Sequence, residues 1–216
     1  MEGDMIYNEA QKVIANKIEI TTKLSNWRDR KWQLKYSIRS LEVSQNSSSK
    51  TRKPDSKFTI RQLTEKDAEP IIKSYEEKFV CYPFPIYDSS YIIDTMRDNV
   101  QYFGVEEDGK LAAVSSAEID FKGANAEVTD FATPMDYQVN GLVSFLLAEM
   151  EETMKKLGIT TLYIIARLKS PAMTKTFFKA DYTFTGTLVN NTNIAGTLES
   201  MNVYYKHISN DSNKVL

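Results

Sequence analysis

The chain has 216 residues, of which 42% are hydrophobic and 26% are charged. This composition is typical of a globular protein with one sizeable core, and the lack of any run of about 18 apolar residues argues against a membrane partner. The first residues show neither the basic nor the apolar region of a secretion signal. The single cysteine, Cys81, excludes an internal disulfide and favours the reducing cytoplasm.

The charge is unevenly distributed along the chain. Residues 1–57 carry 12 Lys/Arg against 7 Asp/Glu, whereas the remainder carries 15 against 22. An acidic main body argues against a nucleic-acid partner and favours cationic substrates or partners. The sequence contains no signal for the oligomeric state.

The first 57 residues differ in pattern from the rest. Apolar residues on one stripe predict a helix over about residues 7–24, and the polar run Gln45–Pro54 predicts a flexible linker. The basic and aromatic segment Trp27–Trp32 could contact RNA, although packing of the two tryptophans on the main body is the interpretation we favour. We therefore expect a helical extension with a Ser-rich linker (1–57), a main domain (58–208) and a disordered tail (209–216).

The main domain alternates between strand and helix signals. Thr64 and Asp67 have the spacing of a capping box before an apolar helical stripe, and Asp108-Gly109 predicts a tight hairpin turn. Strands are predicted near 58–63, 100–106, 111–119, 126–133, 161–166, 182–189 and 201–206. Helices are predicted near 68–79, 90–97, 142–157 and 171–180.

The segment Glu127–Gly158 is the most informative one for function. A short apolar strand, Glu127–Thr133, runs into a polar loop, and an amphipathic helix begins at Gly141–Leu142. The unpaired N–H groups and positive dipole end at such a helix start favour a bound phosphate. Many folds share this geometry, so the feature alone does not identify the protein.

The element order resembles the GNAT acyl-CoA N-acyltransferase fold, a mixed central sheet of the α/β (α+β) class with helices on both faces. Over about residues 58–207 the sequence is also similar to the β-lysine N-acetyltransferases, which make the osmolyte N-acetyl-β-lysine. The strings that carry this resemblance are Tyr82-Pro-Phe-Pro-Ile86, Tyr102-Phe-Gly104, Asn125-Ala-Glu127, Thr129-Asp-Phe-Ala-Thr133, Ile165-Ala-Arg167, Gly186-Thr-Leu188, Asn190-Asn-Thr-Asn-Ile194 and Glu199-Ser-Met-Asn-Val203.

The chain departs from that family in two places. A 57-residue segment stands where the family has a large N-terminal half. The family's phosphate loop reads Tyr-Arg-Gly-x-Gly-Leu-Ala, whereas this chain reads Tyr137-Gln-Val-Asn-Gly-Leu-Val143. Because valine restricts close backbone approach and the arginine is lost, we expect acetyl-CoA to bind roughly tenfold more weakly than in a relative with the complete loop.

The resemblance implies acetyl-CoA as co-substrate, with no metal. Thr174 stands where the family has an asparagine that could reach the cofactor amide, and Phe177 stands where many GNAT relatives have a tyrosine general acid. A core role is the plain interpretation of Phe177, which leaves water or Tyr82 as the acid. The implied cofactor-binding residues are Phe131, Ala132, Thr133, Gln138, Val139, Asn140, Gly141, Leu142, Val143 and Thr174.

A neutral amine is needed for acetyl transfer, so a general base is expected. Glu127 and Asp130 are the candidates, and strand alternation predicts that they point to opposite faces. We favour Asp130 as the base, with a purely structural carboxylate as the alternative. His207, the only histidine, lies by the C-terminal end and is not favoured.

β-Lysine carries two ammonium groups and one carboxylate, so its recognition calls for carboxylates together with amide or arginine donors. Turn formation is the alternative role for the Asn-rich segment. The function implied is acetyl transfer to β-lysine or a similar small amine; the alternatives are a degenerate relative that binds without turnover and an interaction module using Trp27–Trp32. The implied substrate-binding residues are Tyr82, Phe84, Arg167, Asn190, Asn191, Glu199 and Asn202.

Overall fold

The computed structural model describes residues 57–138 and 141–209. The predictions for the N-terminal extension, its linker and the end of the C-terminal tail lie outside the described residues. The strands are β1 (Phe58–Gln62), β2 (Val100–Glu107), β3 (Lys110–Asp120), β4 (Asn125–Ala132), β5 (Thr161–Arg167), β6 (Thr183–Ile194) and β7 (Thr197–His207). The helices are α1 (Ala68–Lys78), α2 (Ser89–Asp98), α3 (Leu142–Lys156) and α4 (Pro171–Lys179).

One seven-stranded sheet has the order β1-β2-β3-β4-β5-β7-β6. Only the β4–β5 pair is parallel, and the other neighbours are antiparallel. The predicted mixed sheet and the predicted order of elements are therefore confirmed. None of the helices in the described parts of the chain is long and apolar enough to cross a membrane.

Helices cover both faces of the sheet, as predicted. Leu146 of α3 and Phe177 of α4 pack in one buried cluster with Val128 and Leu162 from the sheet. On the other face, Tyr75 of α1 lies in a second cluster with Ile92 of α2, Tyr102 and Val114. We refer to the two sides of the sheet as the α3–α4 face and the α1–α2 face.

Turn chemistry sets several of the element ends. Asp108 and Gly109 both have positive φ (50° and 77°), as a two-residue hairpin turn requires. The predicted capping box of Thr64 and Asp67 is present. Gly141 has φ 70° and precedes the first residue of α3, so the predicted helix start is confirmed.

The β6–β7 hairpin is longer than the sequence predicts. The segment from Asn190 to Ile194, for which a turn was one interpretation, continues β6 and contains a register shift opposite β7. The hairpin turn instead lies at Ala195–Gly196, where φ is 51° and 80°. The longer hairpin reaches the loop after α1, because the Ala195 N–H donates to Cys81 Sγ at 3.0 Å.

Candidate functional site

β4 and β5 separate part of the way along their length. They pair at Asn125–Thr161, Ala126–Leu162 and Glu127–Tyr163, and no pair follows these, although both strands continue. The β4 backbone beyond Glu127 therefore has groups on this edge that a ligand can pair with as an added strand would. This gap contains Phe131, one of the cofactor-binding residues that the family resemblance implies.

A β-bulge in β4 reorients the carboxylates. Ser116 pairs with Thr129 and Val114 pairs with Ala132, so β4 carries one extra residue, and Asp130 has φ 55°. The bulge breaks the alternation of side chains. Glu127 and Asp130 consequently share the α1–α2 face, and the prediction that they point to opposite faces is wrong.

Asp130 is engaged by three hydroxyl groups. Tyr82 Oη donates to its Oδ1, and Ser116 Oγ donates to its Oδ2 at 2.8 Å. Thr129 Oγ1 lies 3.4 Å from Oδ1. Burial raises the pKa of Asp130, and the hydroxyl groups oppose that rise. The carboxylate therefore anchors the Tyr82 loop to the sheet.

Glu127 has the acid–base properties that suit proton transfer. Burial, the charge of Glu118 and the charge of Asp130 raise its pKa to about 7, while a hydrogen bond with Tyr163 opposes the rise. Glu118 lies directly opposite Glu127 in the β3–β4 register. A carboxylate whose pKa lies near neutrality can take up and release a proton there. Asp130 is thus held by hydroxyl groups, whereas Glu127 occupies the last paired position before the β4–β5 gap.

Several predicted cofactor residues surround the gap and the start of α3. Phe131 packs against Phe177 with tilted rings, whose centroids are 5.9 Å apart, while Ala132 and Thr133 are buried. The first N–H groups of any helix lack intrahelical partners, which applies to Leu142 and Val143. Gln138 is exposed, and Val139 and Asn140 lie outside the described residues.

The predicted residue Thr174 belongs to a buried hydrogen-bond chain on the α3–α4 face. Tyr204 Oη donates to Thr174 Oγ1 at 3.1 Å and accepts from Asn202 Nδ2 at 3.2 Å. Thr187 Oγ1 donates to Asn202 Oδ1 at 2.7 Å. Asn202 is 4% exposed and lies on the face opposite Glu199, so the structure separates it from the other predicted substrate residues. Phe177 is fully buried, which confirms its core role.

Arg167 and Glu199 contact each other on the α1–α2 face. Arg167 Nε and Nη2 donate to the two Glu199 oxygens at 2.8 and 2.7 Å. Of the remaining predicted substrate residues, Phe84 is 59% exposed, while Asn190 and Asn191 are exposed at the β6 register shift. The structure thus brings together only part of the predicted set.

Sequence reasoning missed four residues near these groups: Ser116, Glu118, Tyr163 and Lys169. Counting the register across the turn between β3 and β4 could have identified Glu118. Asp120 pairs with Asn125, so the residue two before Asp120 (Glu118) pairs with the residue two after Asn125 (Glu127). The contact of Ser116 with Asp130 depends on the bulge, for which the sequence holds no comparable signal.

Comparison with known proteins identifies the class of protein. The sequence model of the acetyltransferase (GNAT) family matches residues 60–182, and the chain belongs to this family. The chain is 48% identical over 154 residues to the Beta-lysine N(6)-acetyltransferase of Methanococcus maripaludis, covering 71% of this chain and 56% of that protein. It is 32% identical over 188 residues to the protein of the same name from Methanosarcina mazei, covering 87% and 63%.

The chain thus spans about three fifths of the length of these two relatives. Among solved structures, the ribosomal-protein-S18-alanine N-acetyltransferase from Escherichia coli has a TM-score of 0.63 at 18% identity. The match covers 74% of this chain and 99% of that one, and it supports the fold.

Proposed function

We propose that this chain transfers the acetyl group of acetyl-CoA to an amino group of β-lysine or a similar small amino acid. Membership of the GNAT family and the names of these two relatives support this proposal. The observation that carries it is Glu127, a carboxylate with a pKa of about 7 at the last paired position before the β4–β5 gap. The free thiol of Cys81 is consistent with a cytoplasmic location.

The gap and the start of α3 are the parts of the chain suited to hold acetyl-CoA. The β4 backbone from Val128 to Thr133 would pair with the pantetheine amides, and the first-turn N–H groups of α3 would bind the pyrophosphate. When bound, the thioester supplies an activated acetyl group. Gly141 leaves its surroundings open, since a Cβ placed there would meet no atom within 4 Å.

Glu127 would generate the neutral amine by removing a proton from the substrate ammonium group. A lysine-type ammonium has a pKa near 10.4, so its deprotonation at pH 7 costs about 4.6 kcal/mol. The Glu127 carboxylate accepts the proton, and the amine nitrogen then forms a bond to the acetyl carbon as the carbon–sulfur bond breaks. A thiol of this type has a pKa near 8.5, so it can leave as thiolate and take a proton from water. Tyr82, held by Asp130, is not needed for this step.

The test is acetylation of β-lysine by the 216-residue chain with acetyl-CoA, followed by mass spectrometry of the product. We expect Glu127→Gln to lower kcat/KM by about 100-fold or more, because it removes the proton acceptor. Glu77→Gln, at an exposed position on α1, is the matched control and should leave the rate unchanged. A chain that binds acetyl-CoA but gives no acetylated β-lysine would refute the proposal for β-lysine.

A further inference from the structure

The α1–α2 face carries opposite charges at two ends. At one end Glu118 and Glu127 face each other across β3 and β4, and neither forms an ion pair within the described part of the chain. At the other end lie Arg167 and Lys169, at and just beyond the end of β5. Tyr163 pairs with Glu127, so the two ends are four residues of β5, or about 13 Å, apart along the strand.

The positive end has one more cation than it has anions. Glu199 accepts two hydrogen bonds from Arg167, and Lys169 Nζ lies 3.6 Å from Glu199 Oε1, beyond the distance of a good hydrogen bond. The hydrogen bonds from Arg167 lower the pKa of Glu199, and the same contact raises the pKa of Arg167. The Glu199 carboxylate thus balances only one of the two cationic side chains that contact it, which leaves one net positive charge.

The cationic groups are accessible, whereas the anion between them is covered. The side chains of Arg167 and Lys169 are 49% and 66% exposed, and that of Glu199 is 6% exposed. Glu199 engages the Nε and Nη2 edge of the guanidinium, and among the described residues no hydrogen bond to Nη1 is present. The Nη1 N–H groups and the Lys169 ammonium are thus available to one further anion.

We propose that Lys169 and the Nη1 side of Arg167 bind the carboxylate of the amino acid substrate, while Glu199 positions Arg167 for that contact. The inference rests on the proposed acetyl transfer and extends it to substrate selection. β-Lysine has a chain of about 7 Å between its carboxylate and its terminal amine. Side chains that extend inward from the two ends of the face would have to span the remaining distance. The terminal amine then lies toward Glu127, and diamines without a carboxylate are disfavoured.

The test compares β-lysine with 1,4-diaminopentane, which is β-lysine without its carboxylate. We expect Lys169→Met to raise KM for β-lysine about tenfold with little change in kcat, because it removes one charge-assisted contact at a half-exposed site. The rate for 1,4-diaminopentane should stay the same or rise. Lys110→Met, at an exposed position in the β2–β3 hairpin, is the matched control and should leave the KM and the rate unchanged for both substrates.

Two further variants distinguish a loss of selectivity for the carboxylate from a general loss of activity. Lys169→Glu should shift the preference toward the diamine by more than Lys169→Met does, because it attracts an ammonium in place of a carboxylate. Glu199→Gln should raise KM for β-lysine and leave KM for 1,4-diaminopentane unchanged, because the guanidinium group of Arg167 loses the charged partner that positions it. Equal losses for both substrates, or no change for either, would overturn the inference.

Equilibrium binding keeps this inference separate from the proposed function. If the natural chain does not acetylate β-lysine, the proposed function fails, and calorimetric titration of β-lysine into the CoA-bound protein still reports on the carboxylate site. Weaker binding of β-lysine by Lys169→Met than by Lys110→Met would support the inference. Equal binding by the two variants would refute it.

Discussion

At the residue scale, Glu118 contributes to the raised pKa of Glu127 across a strand pair. Burial is the largest cause that raises this pKa to about 7, and the charge of Glu118 is the next. Because Glu127 accepts a proton only when ionised, we expect Glu118→Gln to move the acid limb of the kcat/KM profile to lower pH, by up to about one unit. The measurement is the pH profile of β-lysine acetylation, with Glu77→Gln as control. An acid limb that stays in place would contradict this electrostatic role.

Asp130 is held in a conformation that few residues tolerate. Its φ of 55° lies in the left-handed region, and its carboxylate accepts from Tyr82 and Ser116. We expect Asp130→Ala to lower the free energy of unfolding by about 2–4 kcal/mol, because two partly buried hydroxyl groups lose their acceptor and alanine disfavours this φ.

Asp130→Asn is the matched comparison for that prediction. Asparagine tolerates the left-handed region and keeps an acceptor oxygen, so we expect a loss of only about 1 kcal/mol. Urea denaturation measures both changes. Equal losses for the two variants would show that neither the bulge conformation nor the hydroxyl contacts stabilise this site.

At the element scale, the start of α3 tests how the altered phosphate loop affects cofactor binding. Gln138 is exposed just before this helix, and the family resemblance implies an arginine at this position. We expect Gln138→Arg to lower the Kd for acetyl-CoA about tenfold, because it adds a charge-assisted contact to the pyrophosphate. Gln138→Met, which adds no charge, should leave the Kd unchanged. Calorimetric titration measures both, and equal Kd values for the two variants would contradict the prediction.

The elements also show which part of the fold the sequence determines. Hydrophobic periodicity and the Asp108-Gly109 turn predict the order of the strands and helices correctly, because each signal is local. The β4 bulge was not predicted, since Thr129-Asp130-Phe131 continues an ordinary strand pattern and the extra residue is visible only against β3. The length of the β6–β7 hairpin was missed for a similar reason, because turn-forming asparagines occupy a register shift inside β6.

The same limit explains the outcome for the candidate site. Glu127 was predicted because it lies in a recognisable strand. Its raised pKa depends on burial and on Glu118, which is nine residues earlier and adjacent only through strand pairing. Arg167 and Glu199 were predicted as separate substrate contacts. Their hydrogen bonds to each other join residues 32 positions apart and can be predicted only once the β5–β7 pairing is known.

At the scale of the whole molecule, two groups of carboxylates respond to pH in opposite directions. Hydrogen bonds from Arg61 and Arg167 hold the pKa values of Asp67 and Glu199 below their usual range. Their contribution to stability is present above the unfolded pKa and is lost as the pH falls through the folded pKa. Burial raises the pKa values of Glu127, Asp130 and Glu151. Their contribution is present at low pH and is lost as the pH rises through the folded pKa.

The balance of these groups predicts that the protein is less stable at pH 8 than at pH 5.5. Glu127, with its pKa of about 7, loses its proton inside this interval, and we expect it to lower the free energy of unfolding by about 1–2 kcal/mol after allowance for solvent screening. Urea denaturation at the two pH values measures the change. Glu127→Gln should reduce the difference, because glutamine does not ionise, whereas Glu77→Gln should retain it.

The same ionisation should act in opposite senses on stability and on activity. Between pH 5.5 and pH 8 the Glu127 carboxylate gains the charge that proton transfer requires, and the folded state loses stability through that charge. A cationic substrate placed beside Glu118 and Glu127 would offset the loss, so we expect β-lysine to stabilise the protein more at pH 8 than at pH 5.5. Melting temperatures with and without β-lysine at both pH values measure this difference. A larger stabilisation at pH 5.5 would contradict the placement of the amine at this end of the face.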